Sequence, residues 1–559
     1  MSTIKETVIS NFSDAAVIDN FRVSSDGTLT KRDGCVSLGE FDGFVRGCCS
    51  VSADMLYVVA GSKLYILYCG EALCLGELPG AVFGDEETCI MYIYAGILYV
   101  IGGGGFYCYD EITSTLKSCE YIPIYLSDSE EYTKEELNNI TSRVYEVVRF
   151  KTTSSTYTLS RAPTEIKIRR FDGVSVPSSH FTVTYNNGMG YVKLTNTSIL
   201  ASEEYFIIEY TINPSYFSPE KERYTACRNA YVYEGESGVR ILLYNSEEGA
   251  MFYSEPNPND PYIGTYYPRE NVFFAPNAEK IRCITRFGEK TLVITDVSTY
   301  YLAEDTRTSG ESIIFKGFRL VEMKKDLGIS ENSGVVSYEG VIYFMNSFGL
   351  YSLSYNPVEF KYTTKLMTIP DNVGVPRNDY SKARLHVDRV NREIWCQNGE
   401  VVAVYSFTNK KWYRFSGFKA TKFFTYQDAS AFTEANRICV FAVGEHLDHG
   451  TGFDAYVETR NLDLGNIFVE KTIFGFGAAF ERCEGAKFEC TLKSDKGSSF
   501  TFEVSADNHN SDTTPVVKRT HARLGNCYYV ICRISSPPSL PPTKLRSVMI
   551  SYKTMGGNA

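Results

Sequence analysis

Tryptophan and histidine are the scarce residues of this chain, two and six among 559. So little imidazole leaves few candidates for acid–base or metal chemistry. No run of 18 or more apolar residues occurs, which excludes a transmembrane helix of ordinary length. The opening "MSTIKETVISNFSDAA" has no apolar core of the kind a secretory signal needs. No stretch is strongly basic and the formal net charge is -11, so a protein that grips nucleic acid through a Lys/Arg patch is not expected. Cysteine is plentiful at 16, but no CxxC pair occurs. With no export signal, these thiols read as reduced, mostly buried, small apolar residues. The GxSxG, HExxH, Walker and Rossmann patterns are all missing.

What the chain does have is aromatic surface, 14% of residues, with 41 tyrosines. Tyrosine at that level suits many short strands with half-buried faces, and large interfaces. The length implies two to four domains. Runs of β-formers separated by short turns recur as "MLYVVAGSKLYIL", "IMYIYAGILYVIGGGGFYCYD", "AYVYEGESGVRILLYN", "TRFGEKTLVITDVSTYYLAED", "GVVSYEGVIYFMNSFGLYSLS" and "RLHVDRVNREIWCQNGEVVAVYSFTNKKWYRF". A weaker seventh is "FFTYQDASAFTEANRICVFAVG". Units of up to four strands, spaced by about 35 to 55 residues, predict an all-β fold built on a degenerate β-propeller of about six to eight blades. One small twisted sheet cannot cover both its faces, whereas sheets packed radially cover one another.

The pattern breaks twice. Between residues 122 and 225 the period is lost. There "SDSEEYTKEELNNITSR" predicts a helix, with Thr133 and Glu136 as a capping box and Leu137 and Ile140 as its apolar face. "HFTVTYNNGMGYVKLTNTSILASEEYFIIEYTI" follows as antiparallel strands of a small inserted domain. From residue 461 the chain reads as a β-sandwich, with "SSPPSLPP" as a loop before its last strand. The expected organisation is thus 1–121, a hairpin and the first blades; 122–225, the insert; 226–460, the remaining blades; and 461–559, the sandwich.

The search for chemistry gives little. His446 and His449 in "GEHLDHG", beside Glu445 and Asp448, could share a metal on a helix. The flanking Gly444 and Gly450 favour a solvated turn, and no third ligand is indicated. His386 alternates with Leu385 and Val387 and reads as a strand-face residue. "IGGGGF" leads into strand-like sequence, so a hairpin turn is favoured over a phosphate cradle. "SDKGSSF" is one near match to the Asp-box of sialidases, outside the propeller. No catalytic, cofactor-binding or metal residue is therefore assigned, no cofactor is expected, and the chain is read as a non-enzyme.

The densest pattern is "IDNFRVSSDGTLTKRDG", Ile18 to Gly34. Phe21 and Val23 face one way and Arg22 the other. Ser25-Asp26-Gly27 forms a turn, Leu29 resumes a strand, and Lys31-Arg32-Asp33-Gly34 turns again. This hairpin is expected to join the ring of blades or dock beneath it. Lys31 and Arg32 are expected either in solvent or paired with acids of a neighbouring subunit.

The stretch resembles the N-terminal signature of a family of bacteriophage tail proteins, N-x-R-h-x-x-x-G-x-L-x-x-R-x-G. It matches at Asn20, Arg22, Gly27, Leu29, Arg32 and Gly34, with Asp33 where the family often has proline. "NVFFAPNAEKIRCITRFGEKTLVITDVSTYYL" is similar to the middle section of that family, "GVIYFMNSFGLYSL" to a blade, and "SVMISYKTMGGN" to its C-terminal module. The resemblance implies a structural subunit of the tail nozzle or hub (tail accessory) family. It would form a ring, commonly of six copies, around the DNA exit channel, in contact with adaptor and fibre proteins. It would be made and assembled in the bacterial cytoplasm, end in the virion, and not insert in a membrane. Genomic DNA would pass an acidic lumen without specific binding. The alternatives are a receptor- or glycan-binding propeller of the tail and, behind it, a tail-borne glycan hydrolase.

Overall fold

The structure is a computed structural model that describes residues 4–12, 14–126, 138–149, 156–159, 162–186, 189–195, 205–256, 263–309, 312–329, 334–346, 348–358, 361–373, 383–481, 485, 487–505, 516–538 and 544–555. Among them the chain is all-β, and its dominant unit is a four-stranded antiparallel meander. Five such meanders are sheets of their own. Blade 1 spans Val45–Ser50 to Glu71–Glu77 and blade 2 spans Ile90–Tyr94 to Thr115–Ser118. Blade 3 spans Asn229–Gly235 to Val272–Phe273, blade 4 Ile281–Phe287 to Ser312–Lys324, and blade 5 Val335–Tyr338 to Lys361–Met367. Blade 6, Arg384–Asp388 to Trp412–Phe415, is one end of a larger sheet. Blade 7 takes Lys422–Tyr426, Ala429–Glu434 and Arg437–Phe441 from the weak seventh unit, and its fourth strand is Cys35–Glu40.

That borrowed strand closes the ring. Tight two-residue turns with positive φ at both positions, such as Gln427–Asp428 and Glu339–Gly340, match the twist of the strands they join. The middle strands Ile97–Gly102 and Glu393–Asn398 are buried along their whole length, which explains the run of β-formers from Ile97 to Ile101. Every junction between successive blades except that of blades 6 and 7 has its own hydrophobic cluster. Blades 1 and 2 share Val59, Leu64, Val100 and Tyr107, and blades 2 and 3 share Tyr99, Phe106, Leu243 and Phe252. Further clusters join blades 3 to 4, 4 to 5 and 5 to 6. Blade 7 packs on blade 1 through Tyr426, Ile438, Leu56 and Val58. The Lys422 ammonium also donates to the Cys48 carbonyl across that closure, at 3.2 Å.

The expected β-sandwich forms, but not from the C-terminal residues alone. One sheet pairs Lys471–Phe480, Val516–Cys527 and Lys544–Thr554 with three N-terminal strands, Lys5–Ile9, Phe21–Val23 and Leu29–Lys31. The other runs on from blade 6. Val17–Asp19 pairs parallel with Trp412–Phe415 and antiparallel with Ala455–Glu458, which continues to Val530–Ser536, Lys487–Ser494 and Ser499–Ser505. The N-terminal hairpin is therefore part of the sandwich, and it joins the ring through the core it shares with blades 6 and 7. Blades 6 and 7 and the sandwich share one core, centred on Trp395, Phe415, Phe441, Phe476 and Phe480.

Between blades 2 and 3 the chain leaves the ring to form two small sheets with their own core, including Val144, Ile168, Phe206 and Ile208. These sheets are antiparallel except where Ile124–Leu126 pairs parallel with Arg143–Val148. Most of the expected helix over Ser127 to Arg143, residues 127–137, lies outside the described residues, as do Asn187 and Gly188 of the Asn-Asn-Gly turn. Of that helix's remaining positions, Asn138 bridges to Pro268 and Arg143 already starts a strand. A helix forms at Pro214–Thr225, on the return to the ring. No helix among the described residues is long and apolar enough to cross a membrane.

Candidate functional site at the ring closure

The signature residues converge where blade 6, blade 7 and the sandwich meet. Asn20 has a left-handed backbone (φ 55). Its amide donates to the Asp454 carbonyl at 2.7 Å, and its Oδ1 accepts from Arg32 Nε at 2.9 Å and from the Ser416 amide at 2.9 Å. Arg32 is fully buried. It makes a two-pronged pair with Asp448, Nη1 to Oδ1 at 3.0 Å and Nη2 to Oδ2 at 2.5 Å, and Nη2 also donates to the Ser416 carbonyl. The guanidinium lies 3.8 Å from the centre of the Phe453 ring, with Phe415, Phe418 and Phe441 around it. Lys31 is buried too, with its ammonium on the carbonyls of Pro537 and Pro538 and over Phe453. Burial first, and the charge of Arg32 second, pull its pKa down to about 8.

These positions correct the sequence reading: Lys31 and Arg32 are neither solvated nor held for a neighbouring subunit. They fasten the chain's own N-terminal segment. Arg22 reaches Glu393 at 3.2 Å, Asp33 at 3.1 Å and Asp388 at 3.6 Å. Burial alone would lower its pKa, but those carboxylates and Tyr413 outweigh it and raise it. Leu29 is wholly buried. Gly27 has φ +81, and a Cβ there would lie 2.8 Å from Asn11 Cα; a Cβ on Gly34 would lie 2.2 Å from the Leu447 carbonyl oxygen. Asp33, in place of the family's proline, accepts from both Arg22 and the Gly444 amide.

Beside this lock is a cleft of about 460 Å³ lined by Asn20, Glu434, Arg437, Asp448, His449 and Phe453, among others. "GEHLDHG" borders it and forms the expected turn, with Gly444 and Gly450 exposed but Asp448 buried. Leu447–Asp448 and Thr451–Gly452 pair across a two-residue turn, with His449 at φ 51 and Gly450 at φ 77. The turn parts the two histidines. His446 sits beside Glu445, whereas His449 is directed onto blade 7. His449 Nε2 is 3.6 Å from Glu434 Oε2 and 3.4 Å from Cys35 Sγ. The donor atoms of Glu434, Cys439 and His449 all lie within 4.8 Å of one another. Burial and Arg437 hold the His449 imidazole below its usual pKa, so it is neutral at neutral pH. Burial, then Glu434, pushes the Cys439 thiol up to about 12. Sequence reasoning missed Cys35, Glu434 and Cys439 because they join His449 only through the borrowed strand. The readable signal was His-Gly as a tight hairpin turn.

The other candidates resolve simply. His386 is buried between blades 6 and 7, with Nε2 2.9 Å from Ser430 Oγ and rings of Trp395 and Phe423 beside it. Burial lowers its pKa to about 4. Asp388, two residues along, is taken by Asn391 and Arg22, so the three do not form a relay. "IGGGGF" is the hairpin turn between two strands of blade 2, and "SDKGSSF" turns between two sandwich strands. The described cysteines are free, and most are buried, with Cys69 and Cys74 exposed.

No family model matches the sequence, and no curated protein matches it. Solved structures similar to the chain include YCF48 bound to D1 peptide, at 7% identity and a TM-score of 0.33, over 76% of this chain and 97% of that one. BBS1N in complex with ARL6DN is similar at 10% identity and a TM-score of 0.32, over 74% and 98%. An exo-β-1,3-galactanase from Phanerochaete chrysosporium is similar at 11% identity and a TM-score of 0.18, over 84% and 98%. Likeness at this level carries nothing about function, and the propeller rests on the strand pairing itself.

Proposed function

We propose that this chain is a structural subunit of a phage tail, a nozzle or hub component that assembles as a ring around the DNA exit channel. The observation that carries the reading is the use made of Asn20, Arg22, Gly27, Leu29, Arg32 and Gly34. The pattern shared with tail proteins is spent on a buried joint between propeller and sandwich. A signature devoted to rigidity suits a load-bearing part better than a binding loop. A net charge of -11 on each chain favours an acidic ring that a polyanion slides through. In this reading the chain catalyses nothing, and hydrolysis of host surface polysaccharide by the purified protein would overturn it.

Antibody labelling of purified particles, viewed by electron microscopy, tests the assignment. Label at the tail axis is the expected result. Label on peripheral fibres would favour receptor binding instead, and particles without label would end the tail reading. The inserted module is the expected site of contact with neighbouring subunits or fibres. Arg143 and Thr211 are paired across its base, so excising residues 144–210 and joining the ends with a short turn should leave the propeller folded but unable to assemble. A shortened chain that still assembles would remove the module from that role.

A further inference from the structure

The four groups at the edge of blade 7 have no part in the structural role proposed above. They come from three separate pieces of chain. Cys35 starts the borrowed N-terminal strand. Glu434 and Cys439 flank the turn of the hairpin that receives it. His449 projects from the next tight turn. Cys35 pairs with Phe441 and Cys439 with Ser37, so the two thiols lie on the same face of the sheet, diagonally placed.

A tetrahedral zinc site with metal–ligand bonds of about 2.0–2.3 Å needs donor atoms roughly 3.3–3.8 Å apart. His449 Nε2 meets that spacing with Glu434 Oε2 at 3.6 Å. Cys439 Sγ lies within 4.8 Å of the Glu434 and His449 donors, so it needs to close by at most about 1–1.5 Å to reach the tetrahedral spacing. Cys35 Sγ is 3.4 Å from His449 Nε2 but stands outside the trio whose donors all lie within 4.8 Å of one another, so it must close on the other two to become the fourth donor. The backbone around the donors is already fixed. The His449 amide donates to the Cys35 carbonyl at 2.8 Å, the Cys35 amide donates to Asp448 Oδ1 at 3.1 Å, and the Lys419 amide donates to Glu434 Oε1 at 3.3 Å. The other ring nitrogen of His449 is buried without a hydrogen-bond partner among the described residues. Arg437 holds Glu434 Oε2 at 3.0 Å and is the one group the metal must displace; its side chain is a third exposed and can turn to solvent.

We propose that Glu434, Cys439 and His449, with Cys35 as fourth donor, bind a divalent cation of the zinc class that fastens the N-terminal strand to blade 7. Mixed sulfur, nitrogen and carboxylate donors select zinc over magnesium or calcium. As the cation binds, each cysteine S–H bond gives its proton to solvent and a metal–sulfur bond forms in its place, with no change of oxidation state. Four protein donors make a closed, structural site, and the metal adds a clasp where the ring is held by non-covalent pairing alone.

The test uses the full chain with zinc chloride and, separately, cobalt chloride. After removal of excess metal, one zinc per chain should remain, and the cobalt form should show the near-ultraviolet thiolate-to-metal absorption and the strong visible bands of a tetrahedral site. C439S and H449Q should lose both. C35S should keep the cation but bind it at least about tenfold more weakly. In chelator C439S and H449Q need not melt with the wild type, so the readout is the shift: zinc should raise the melting temperature of the wild type and leave those of C439S and H449Q where they are. A wild type that retains no zinc overturns the proposal, as does a cobalt form without sulfur absorption. Equal retention by C439S and H449Q would place the metal on other residues and overturn it too. Unchanged affinity in C35S would overturn the four-donor site.

Discussion

Two elements that are not blades attach to this ring, and they attach in opposite ways. The inserted module hangs between blades 2 and 3 on two strips of chain. On the outgoing strip, the Asn138 amide donates to the carbonyls of Tyr121 and Thr265, and Ile140 enters the core between the blades. On the returning strip, Tyr224 and Cys227 enter the same core. Its own hydrophobic cluster is separate. The N-terminal segment and sandwich, by contrast, share one core with blades 6 and 7, and charged groups are sealed inside the joint. The module is a graft with a core of its own, and the ring is expected to fold without it. The joint belongs to the ring, because the strand just after the signature completes blade 7.

The contrast predicts where the molecule is brittle. Arg32→Met leaves Asp448 buried and unpaired, and should cost about 3–5 kcal/mol in urea denaturation of the full chain. Adding Asp448→Leu should recover much of that loss, since an apolar pair of similar volume is often as stable as a buried ion pair. Recovery would stay incomplete, because Asp448 also accepts from the Cys35 amide. A single variant as stable as the wild type would erase the distinction between joint and graft.

The same joint sets an acid limit. His386 is buried and titrates at about 4 in the folded chain, against 6.5 for a free imidazole. Between those values the unfolded chain takes up a proton that the folded one refuses, so stability is full above pH 6.5 and falls as pH drops toward 4. The loss from this one group is about 3 kcal/mol. His386→Gln should flatten that part of the stability–pH curve. An unchanged acid limb would place the proton uptake elsewhere.

On the graft side, Asn138→Ala tests the outgoing strip. It removes two donated bonds and strands the amides of Ile140 and Tyr267, which donate to its Oδ1. The expected cost is about 1–3 kcal/mol. It should show as proteolysis confined to the module and its strips while blades 4 to 7 stay protected. Cleavage spreading round the ring would mean that module and ring unfold together.

What was legible in the sequence follows from what is local. Hairpins with short turns between buried strands announce themselves, so the propeller and the sandwich strands from Lys471 and Lys544 could be read directly. The fourth strand of blade 7 could not, because its partner lies nearly the whole chain away: Cys35 pairs with Phe441. The sandwich strand Val516–Cys527 escaped because "KRTHARLG" has no apolar alternation. "NCYYVICRIS" has no turn residue inside its aromatic and β-branched run, yet the chain turns at Tyr528–Tyr529, after a left-handed Asn526. Lys31 and Arg32 looked like surface residues because charge in a hairpin usually is solvated, and nothing local announces the box of phenylalanines from blades 6 and 7. The Cys35, Glu434, Cys439 and His449 group was hidden for the same reason as the borrowed strand.

The smallest expected effect completes the comparison. On the module's outer surface, Glu209 takes Arg143 at 2.7 Å and Arg169 at 3.2 Å, and both arginine side chains are nearly half exposed. This is the same chemistry as Arg32 with Asp448, guanidinium on carboxylate, and Glu209 is as covered as Asp448, but here the arginines are half in water. Each guanidinium is largely solvated before it pairs, salt screens the attraction, and ordering two long side chains offsets what remains. Arg143→Gln and Arg169→Gln should each change stability by less than about 1 kcal/mol. The pair's contribution should shrink further in high salt, where the cost of Arg32→Met should hold, because Arg32 is wholly buried and Asp448 nearly so. Equal salt sensitivity at the two places would mean that burial does not separate them, and the account of the joint as a sealed weld would fail with it.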